Sequence, residues 1–311
     1  MIVKGLVSFP RWYKNTGMKY MDVKTAAEKW NITPRRVRIL CNDGRIDGAV
    51  RNGWSWVIPE ATPKPGDGRV LRRFKALDIR PGTVDVDGLK ELRRLYSLPQ
   101  YMKGPHSLPD AARTISFLFS LEGEEVSAED VMRILSGFLV YNLSLSTHLL
   151  AVNFNAILRE EAKREGKWGE GDLRRMYSSL MRGIEETDGS YRKGKVKRGE
   201  EDVPVESAVE TVLNQYDSSW SLLHPLSSAL LLSGELMRTG LYKKHLVFFI
   251  YLVFAGELMR SSFVPPCLPP SSANEARAAY ALVSTRGVYT DMTNYTERMI
   301  EATYSEMKRD V

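Results

Sequence analysis

The 311-residue chain is poor in the residues that build disulfide frameworks and metal sites. It has two cysteines and four histidines, and these are not placed at the short spacings that metal ligands need. A disulfide scaffold and a zinc-ligand motif are therefore excluded. Cys41 is expected to be a small buried residue of a helix rather than one half of a disulfide.

Long apolar runs are missing as well. The most apolar run, residues 246–255, is too short for a bilayer, which needs about 20 residues. Residues 1–17 lack the apolar core of a secretory signal peptide. The apolar fraction of 43% is ordinary for a globular protein. We therefore expect a cytoplasmic protein without membrane contact.

Acidic residues are scarce at one end of the chain only. Residues 1–80 contain 17 Lys and Arg against 7 Asp and Glu, whereas residues 81–311 contain 27 against 31. The net charge of +6 thus comes entirely from the N-terminal end. Because positive charge attracts a phosphate backbone, a nucleic-acid surface is expected at this end and not in the remainder.

Residues 18–60 carry the start and stop signals of two short helices. Asp22 is expected to cap the first helix and Asn31 to end it. Thr33 is expected to cap the second, with Pro34 at its first position and Gly44 at its end. The residues that would form the two inner faces are apolar: Val23, Ala26, Ala27, Trp30, Val37, Leu40 and Cys41.

A β-hairpin is predicted after the second helix. Residues 49–51 and 54–58 have strand character, and Asn52-Gly53 between them is a strong type I′ turn signal. A helix fits the major groove of DNA, and a neighbouring hairpin can reach the backbone beside it.

The sequences VKTAAEKW, TPRRVRILCNDGRI and WSWVIP in this region resemble the excisionase/MerR-like winged helix–turn–helix family. The resemblance implies that the second helix is a recognition helix for double-stranded DNA. From the recognition helix, Arg35, Arg36 and Arg38 would enter or flank the major groove. From the wing, Arg51 and Asn52 would contact the backbone, with Lys24 and Arg45 as further phosphate contacts. The alternative is that these arginines only form a solvated face.

The remaining chain is predicted to be a helical domain. Residues 1–17 are an N-terminal extension, 18–62 the winged helix–turn–helix, 63–83 a linker rich in Pro and Gly, and 84–311 the body. Helical periodicity recurs through the body, for example at residues 85–96, 171–186 and 244–259.

Four segments of the body resemble the Fic (filamentation, Fido-fold) family in order and spacing. They are FSLEGEEVSAED at 119–130, GSYRKGKVKRG at 189–199, LHPLSSALLLSGE at 223–235 and AAYALVSTRGVYTDMTNYT at 278–296. The resemblance implies an all-α domain with a β-hairpin flap over the site, to which Tyr191, Arg192 and Val196 would belong. The flap hairpin could bind a partner strand, or its charges could simply protect an edge.

The chain departs from the family at its catalytic motif. Active Fic proteins carry H-P-F-x-[DE]-G-N-G-R, which supplies a general base, a Mg²⁺ ligand and a cradle for nucleotide phosphates. Residues 237–246 read MRTGLYKKHL instead, without the His-Pro pair, the acidic residue or Gly-Asn-Gly. General base assistance alone is worth roughly 10²–10⁴ in rate. We therefore expect a pseudoenzyme with no cofactor. His245 as a base and Lys243 and Lys244 as phosphate ligands are the candidates if activity remains, and ATP with Mg²⁺ would then be required.

The regulatory segment of the family is partly retained. The resemblance assigns Glu122 and Gly123 to an inhibitory motif whose Glu pairs with a catalytic Arg that this chain lacks. Because a buried carboxylate without a partner is costly, Glu122 is expected to be solvated or bonded to a nearby Arg or backbone N–H. The alternative is that it makes a vestigial regulatory contact.

Together these patterns predict a mainly α chain: a winged helix–turn–helix with a small β-hairpin wing, followed by an all-α Fic-like domain with a β-hairpin flap. The expected function is that of a DNA-binding transcriptional regulator, a homodimer on two half-sites, whose body serves in dimerisation or sensing. The alternative is a divergent Fic enzyme that transfers AMP or another phosphate-containing group to a protein hydroxyl. A third possibility is a nucleotide sensor without turnover.

Overall fold

The computed structural model describes residues 20–42, 46, 49–52, 55–60, 62, 97–198 and 201–309. Contacts divide the chain into two compact units, Met1–Arg69 and Val70–Val311. The division falls inside the stretch that the sequence predicts as a linker. The two are called the N-terminal and C-terminal units, and each is described by itself.

The described part of the N-terminal unit contains two helices and a three-stranded antiparallel sheet. The elements are β1 (Tyr20–Asp22), α1 (Val23–Trp30), α2 (Pro34–Asn42), β2 (Val50–Asn52) and β3 (Ser55–Pro59). The sheet order is β1-β3-β2, so the last strand lies between the other two. All apolar residues predicted for the inner faces of α1 and α2 are buried, Cys41 included.

Local signals at the helix ends act as predicted. The Asp22 side chain accepts from the backbone N–H of Thr25 at 2.7 Å, and Asn31 ends α1 in the left-handed conformation at φ 52°. Thr33 Oγ1 accepts from the backbone N–H of Arg36 at 3.2 Å, and Pro34 begins α2. Gly44, the predicted end of α2, lies outside the described residues.

The sheet differs from the prediction in two respects. The sequence assigned Asn52 to the turn, but Asn52 is the last residue of β2 and pairs with Ser55 of β3, so the strands are shifted by one residue. Strand β1 was not predicted, because a three-residue strand carries little pattern of its own. It is defined by pairing with Pro59 and its neighbours, far along the chain. Gly53 and Trp54 lie outside the described residues.

The described part of the C-terminal unit is built from helices with one small hairpin, and this confirms the predicted fold class. The helices are α3 (Leu98–Lys103), α4 (Ser107–Glu122), α5 (Ala128–Leu135), α6 (Leu145–Glu161), α7 (Glu170–Leu180), α8 (Val205–Ser218), α9 (Pro225–Thr239), α10 (Leu246–Arg260), α11 (Ala273–Arg286) and α12 (Thr290–Arg309). The hairpin pairs β4 (Lys195–Arg198) with β5 (Glu201–Pro204). No helix among the described residues is long and apolar enough to cross a membrane.

Helices α9 and α10 form the centre of this unit. Residues 248–259 of α10 are all buried, Glu257 included. A helix that is apolar on every side must be enclosed by others. Glu257 is tolerated there because Tyr216, Ser228 and Arg260 all donate hydrogen bonds to its carboxylate, as a buried charge requires.

The largest differences from the predicted helices of the C-terminal unit lie in α7 and α3, whereas α10 differs from its predicted bounds by only one or two residues at each end. Helix α7 ends at Leu180 rather than at residue 186, because turns follow and Gly183 adopts a positive φ of 75°. Helix α3 was not predicted, although Ser97 caps it and Pro99 occupies its first turn. The helix predicted at residues 85–96 lies outside the described residues.

Candidate functional site

The outward side of α2 carries the arginines that the sequence predicts as the DNA-reading face. Arg35 and Arg38 are exposed and Arg36 is half-buried, while Val37 and Leu40 of the same helix are buried in the core. Among the described residues no carboxylate pairs with these three guanidinium groups. The helix therefore offers cationic donors to an anion at its N-terminal half.

The other predicted contact residues of the N-terminal unit are spread over its surface. Lys24 is exposed in the first turn of α1, and Arg51 is exposed on β2. Asn52 is a strand residue, as described above. Arg45 lies outside the described residues.

In the C-terminal unit, the connection between α9 and α10 is closed rather than open. Gly240 ends α9 in the left-handed conformation, and the next two side chains, Leu241 and Tyr242, are buried. His245 precedes α10 with a positive φ of 49°. The segment 240–245, called the α9–α10 loop, therefore turns its apolar side chains into the core and leaves Lys243 and Lys244 in solvent.

Arg192 holds this loop from the base of the flap. Its Nε donates to Gly240 O at 2.6 Å and its Nη2 to Thr239 O at 3.4 Å. The backbone N–H of Arg192 also donates to Leu241 O at 3.0 Å. One arginine thus satisfies the carbonyls that the C-terminal end of α9 would otherwise leave unpaired.

A tyrosine cluster fixes the loop from the other side. The rings of Tyr177 and Tyr242 stack in parallel at 3.5 Å. The Tyr242 hydroxyl donates to Gly189 O at 2.9 Å, and the Tyr177 hydroxyl donates to Lys244 O at 3.2 Å. Burial raises the pKa of Tyr177 to about 12, that of Tyr191 to about 12, and that of Tyr242 further. The hydroxyl groups of Tyr177 and Tyr242 are therefore neutral donors at physiological pH.

Gly189 is a glycine because of this packing. Its φ is +80°, and a Cβ built on it would lie 2.1 Å from the backbone oxygen of Arg174. Only a residue without a side chain fits there. The glycine lets the chain pass over α7 and present its carbonyl to Tyr242.

Glu122 contacts His245, the last residue of the α9–α10 loop. The Glu122 Oε2 atom lies 2.8 Å from His245 Nδ1, and both side chains are more than four-fifths buried. The sequence predicted Glu122 to be solvated or bonded to a nearby Arg or backbone N–H, and assigned no partner to His245. The observed partner of Glu122 is instead His245, which no local pattern could indicate because 123 residues separate the two groups.

A shallow basic cleft lies between the flap base and the loop. Its volume is about 400 Å³, and its cationic lining comes from Arg192, Lys193, Lys243 and Lys244. Lys244 is paired with Glu185 at 2.7 Å and Arg192 is engaged with carbonyls, so Lys193 and Lys243 are the cations best placed to meet an anion. The sequence pattern predicts Lys243 and Lys244 at this position but not Lys193.

The residues of the loop do not fit a divalent cation. Magnesium prefers carboxylate oxygens, whereas the loop presents lysines, and the carboxylates of Glu122 and Glu185 that contact the loop are engaged with His245 and Lys244. In the described portion of the chain no cluster of three metal-ligating side chains occurs. The donor set of this loop therefore does not support a transfer step assisted by Mg²⁺.

No sequence pattern singles out Tyr177 and Tyr242. Neither belongs to a motif, and Tyr242 stands in the segment where the expected motif is missing. The one available signal is that an aromatic residue in a loop between two apolar helices favours burial, which would have indicated a closed loop.

No protein-family model matches the chain, and none of the curated proteins compared with it does. Several solved structures share its fold. The chain superposes on Fic-1 from C. elegans with a TM-score of 0.58 at 19% identity, covering 76% of this chain and 70% of that one. The C-terminal unit has the Fic fold. The TM-score with a Fic-domain-containing signalling protein from Bacteroides thetaiotaomicron is 0.53 at 13% sequence identity, covering 76% of this chain and 93% of that one. The TM-score with a Fic family protein from Desulfovibrio desulfuricans is 0.51 at 15% sequence identity, covering 80% of this chain and 76% of that one.

The Fic fold of this unit therefore contains a closed α9–α10 loop, which Arg192 and Glu122 hold through hydrogen bonds. At such low sequence identity the similarity establishes the fold of this unit and says nothing about whether it shares the activity of those proteins. In this chain the loop after α9 is held by buried tyrosines and by the contact of His245 with the Glu122 carboxylate.

Proposed function

We propose that this protein is a DNA-binding regulator whose Fic-fold unit serves in dimerisation or sensing rather than in catalysis. The observation that carries the proposal is the outward face of α2, where Arg35, Arg36 and Arg38 have no carboxylate partner among the described residues. A helix of this size enters the major groove, where arginines read guanine edges or bind phosphates.

Charge distribution supports the same face. The positive excess lies wholly within residues 1–80, and the body is slightly acidic. Electrostatic attraction to a duplex is therefore strongest at the N-terminal unit. Arg51 on β2 and Lys24 on α1 add exposed cations for the backbone.

The closed α9–α10 loop supports a body that is not catalytic. Phosphoryl-type transfer needs a positioned base, charge-stabilising groups and an open cradle. Here Leu241 and Tyr242 fill the loop, and Arg192 directs its donors to Gly240 and Thr239. His245 is held by Glu122.

A polarisation titration with duplex DNA from the promoter of the protein's own gene tests the proposal. We expect Arg35→Ala/Arg36→Ala to weaken binding by at least about 30-fold, since base-reading arginines contribute about 1–3 kcal/mol each. The matched control is Arg159→Ala, an exposed arginine of α6. Binding that is undetectable at low salt, or equal in both variants, would contradict the proposal.

The basic cleft favours a second candidate function, transfer of AMP or another phosphate-containing group to a protein hydroxyl, or nucleotide sensing without turnover. Lys193 and Lys243 line about 400 Å³ beside the loop that ends at His245. Incubation with labelled ATP and Mg²⁺ separates these candidates. Labelling that His245→Asn abolishes supports the enzyme, and ATP-dependent thermal stabilisation without labelling supports the sensor.

A further inference from the structure

Ile39 is an apolar residue on the outward side of α2. It is 38% exposed, whereas Val37, Leu40 and Cys41 of the same helix are at most 4% exposed. An isolated apolar residue at a protein surface is ordinary, and a role for Ile39 therefore depends on its position and on its neighbours.

Ile39 lies at the centre of the face of α2 that is turned away from the core. A helix has about 3.6 residues per turn, so Arg35, Ile39 and Asn42 share one face at successive turns. All three residues are exposed, and the buried residues of α2 lie on the opposite face. Arg38 is exposed beside them. The isoleucine is therefore surrounded by polar side chains on the face that would meet DNA.

The neighbours of Ile39 carry the groups that recognise base edges. Arginine binds guanine O6 and N7 in a bidentate manner, and asparagine binds adenine N6 and N7 in the same way. Within the part of the chain that the structure describes, no hydrogen bond or ion pair occupies the side chains of Arg35 and Asn42. Both side chains are therefore available to a base.

The side chain of isoleucine has no hydrogen-bonding atom, so its complement in the major groove must be apolar. Base pairs present hydrogen-bond donors and acceptors there, and thymine adds its 5-methyl group, which apolar side chains contact. A cytosine would instead place its N4 donor near Ile39, and a donor that loses water without gaining a partner is unfavourable. The isoleucine therefore favours thymine over cytosine at the base that it contacts.

The spacing along α2 fits contacts with neighbouring base pairs. A helix advances by about 1.5 Å per residue, so Arg35 and Ile39 are about 6 Å apart along the axis. Successive bases of a strand are about 3.4 Å apart. A methyl group that Ile39 contacts would therefore lie about one or two base pairs from a guanine that Arg35 contacts.

We infer that Ile39 is a specificity-determining residue whose side chain contacts the 5-methyl group of a thymine beside the guanine that Arg35 reads. The inference rests on the proposed function, because it requires α2 to lie in the major groove. It adds a selectivity that positive charge alone does not supply. Arginines attract the phosphates of any duplex, whereas the isoleucine distinguishes duplexes by the position of a methyl group.

Replacement of thymine by uracil tests the inference, since it removes the 5-methyl group and leaves every hydrogen-bonding group of the base pair in place. A duplex is selected from a random pool by the full chain, and each of its thymines is then replaced singly by uracil. Fluorescence polarisation gives the Kd of every duplex for the unaltered chain, for Ile39→Ala and for Lys24→Ala. Lys24→Ala is the control, because Lys24 is an exposed residue of α1 that is predicted to contact a phosphate.

We expect uracil at the contacted position to weaken binding of the unaltered chain by about fourfold, the effect of one methyl-sized group removed from water. Ile39→Ala should bind the thymine and uracil duplexes equally, whereas Lys24→Ala should weaken binding to both and keep their ratio. A selected duplex in which no uracil changes the Kd, or a ratio that Ile39→Ala preserves, would overturn the inference and leave the proposed function intact. A chain that selects no duplex at low salt would refute the proposed function and the inference together.

Discussion

The Glu122 carboxylate lies 2.8 Å from Nδ1 of His245 and so joins the C-terminal end of α4 to the residue that immediately precedes α10. The His245 ring also packs edge-on to Phe248 in the first turn of α10, at 5.9 Å. The pair therefore connects the segment predicted to be regulatory to the α9–α10 loop. This contact can be weakened from either side.

A double-mutant cycle of Glu122→Gln and His245→Asn measures the coupling between the two side chains. Each single change should lower the free energy of unfolding by about 1 kcal/mol, and the coupling should be about 0.5–1.5 kcal/mol. We expect a coupling below the upper end of this range, because both side chains keep some contact with water, which screens the interaction. Urea unfolding gives the values.

The control for this cycle is Glu124→Gln, two residues beyond Glu122 and exposed. Its effect should stay within about 0.5 kcal/mol, as for ordinary surface substitutions. A coupling indistinguishable from zero in the cycle would mean that the two groups act independently in solution.

Arg192→Lys tests whether the guanidinium closes the loop. Lysine keeps the charge but cannot reach Gly240 O and Thr239 O together as the planar fork of arginine does. We expect a loss of about 1–3 kcal/mol in the free energy of unfolding, and faster tryptic cleavage after Lys243 and Lys244. Limited proteolysis followed by mass spectrometry identifies the position and the rate of cleavage.

Lys193→Ala is the matched control, because Lys193 is the next residue and is exposed. It should leave both stability and cleavage at Lys243 unchanged. Equal cleavage of the two variants would show that the flap base does not hold the loop.

Gly189→Ala should be among the most damaging single substitutions in the C-terminal unit. The added methyl group would lie 2.1 Å from Arg174 O, a backbone atom that cannot rotate away, at a φ of +80°. The loss should exceed about 3 kcal/mol, since both strain and the displaced Tyr242 hydrogen bond contribute.

Gly123→Ala supplies the comparison for the backbone conformation alone. Gly123 has a φ of +86°, and nothing lies within 4 Å of a Cβ built there. A cost of only about 1 kcal/mol is therefore expected. Thermal denaturation ranks the two variants, and similar losses would mean that the close approach to Arg174 is relieved cheaply.

Sequence patterns were sufficient where the cause of a structure is local. Asp22, Asn31 and Thr33 act within one turn of the residues they cap, so their roles follow from position alone. The helices of the C-terminal unit likewise follow apolar periodicity over many residues. The error at residues 171–186 arose because Gly183 ends the pattern in a conformation that periodicity does not encode.

The candidate site was less predictable because its contacts are distant in sequence. Arg192 reaches across 48 positions to Gly240, and Glu122 across 123 to His245. The sequence locates the loop between two apolar helices and shows which residues it contains. It does not indicate what fills the space, since Tyr242 and Tyr177 are brought together only by the packing of α7 against the loop.

Alkaline pH should destabilise the protein through its buried phenols. The pKa of Tyr177 is raised by burial to about 12 in the folded chain, against about 10 when unfolded. Its stabilising contribution is complete below pH 10 and is lost as pH rises from about 10 to about 12, because the unfolded state releases the proton first. Tyr191, with a pKa raised to about 12, adds to the same loss.

Tyrosinate absorbance and circular dichroism, recorded together against pH, measure this effect. We expect the last tyrosines to ionise only as the helical signal falls, and Tyr177→Phe to flatten the alkaline decline by up to about 2 kcal/mol. The variant also loses the hydrogen bond to Lys244 O, so it should start about 1 kcal/mol less stable at neutral pH. Full ionisation of all tyrosines near pH 10, with the helices intact, would contradict the buried stack of Tyr177 on Tyr242.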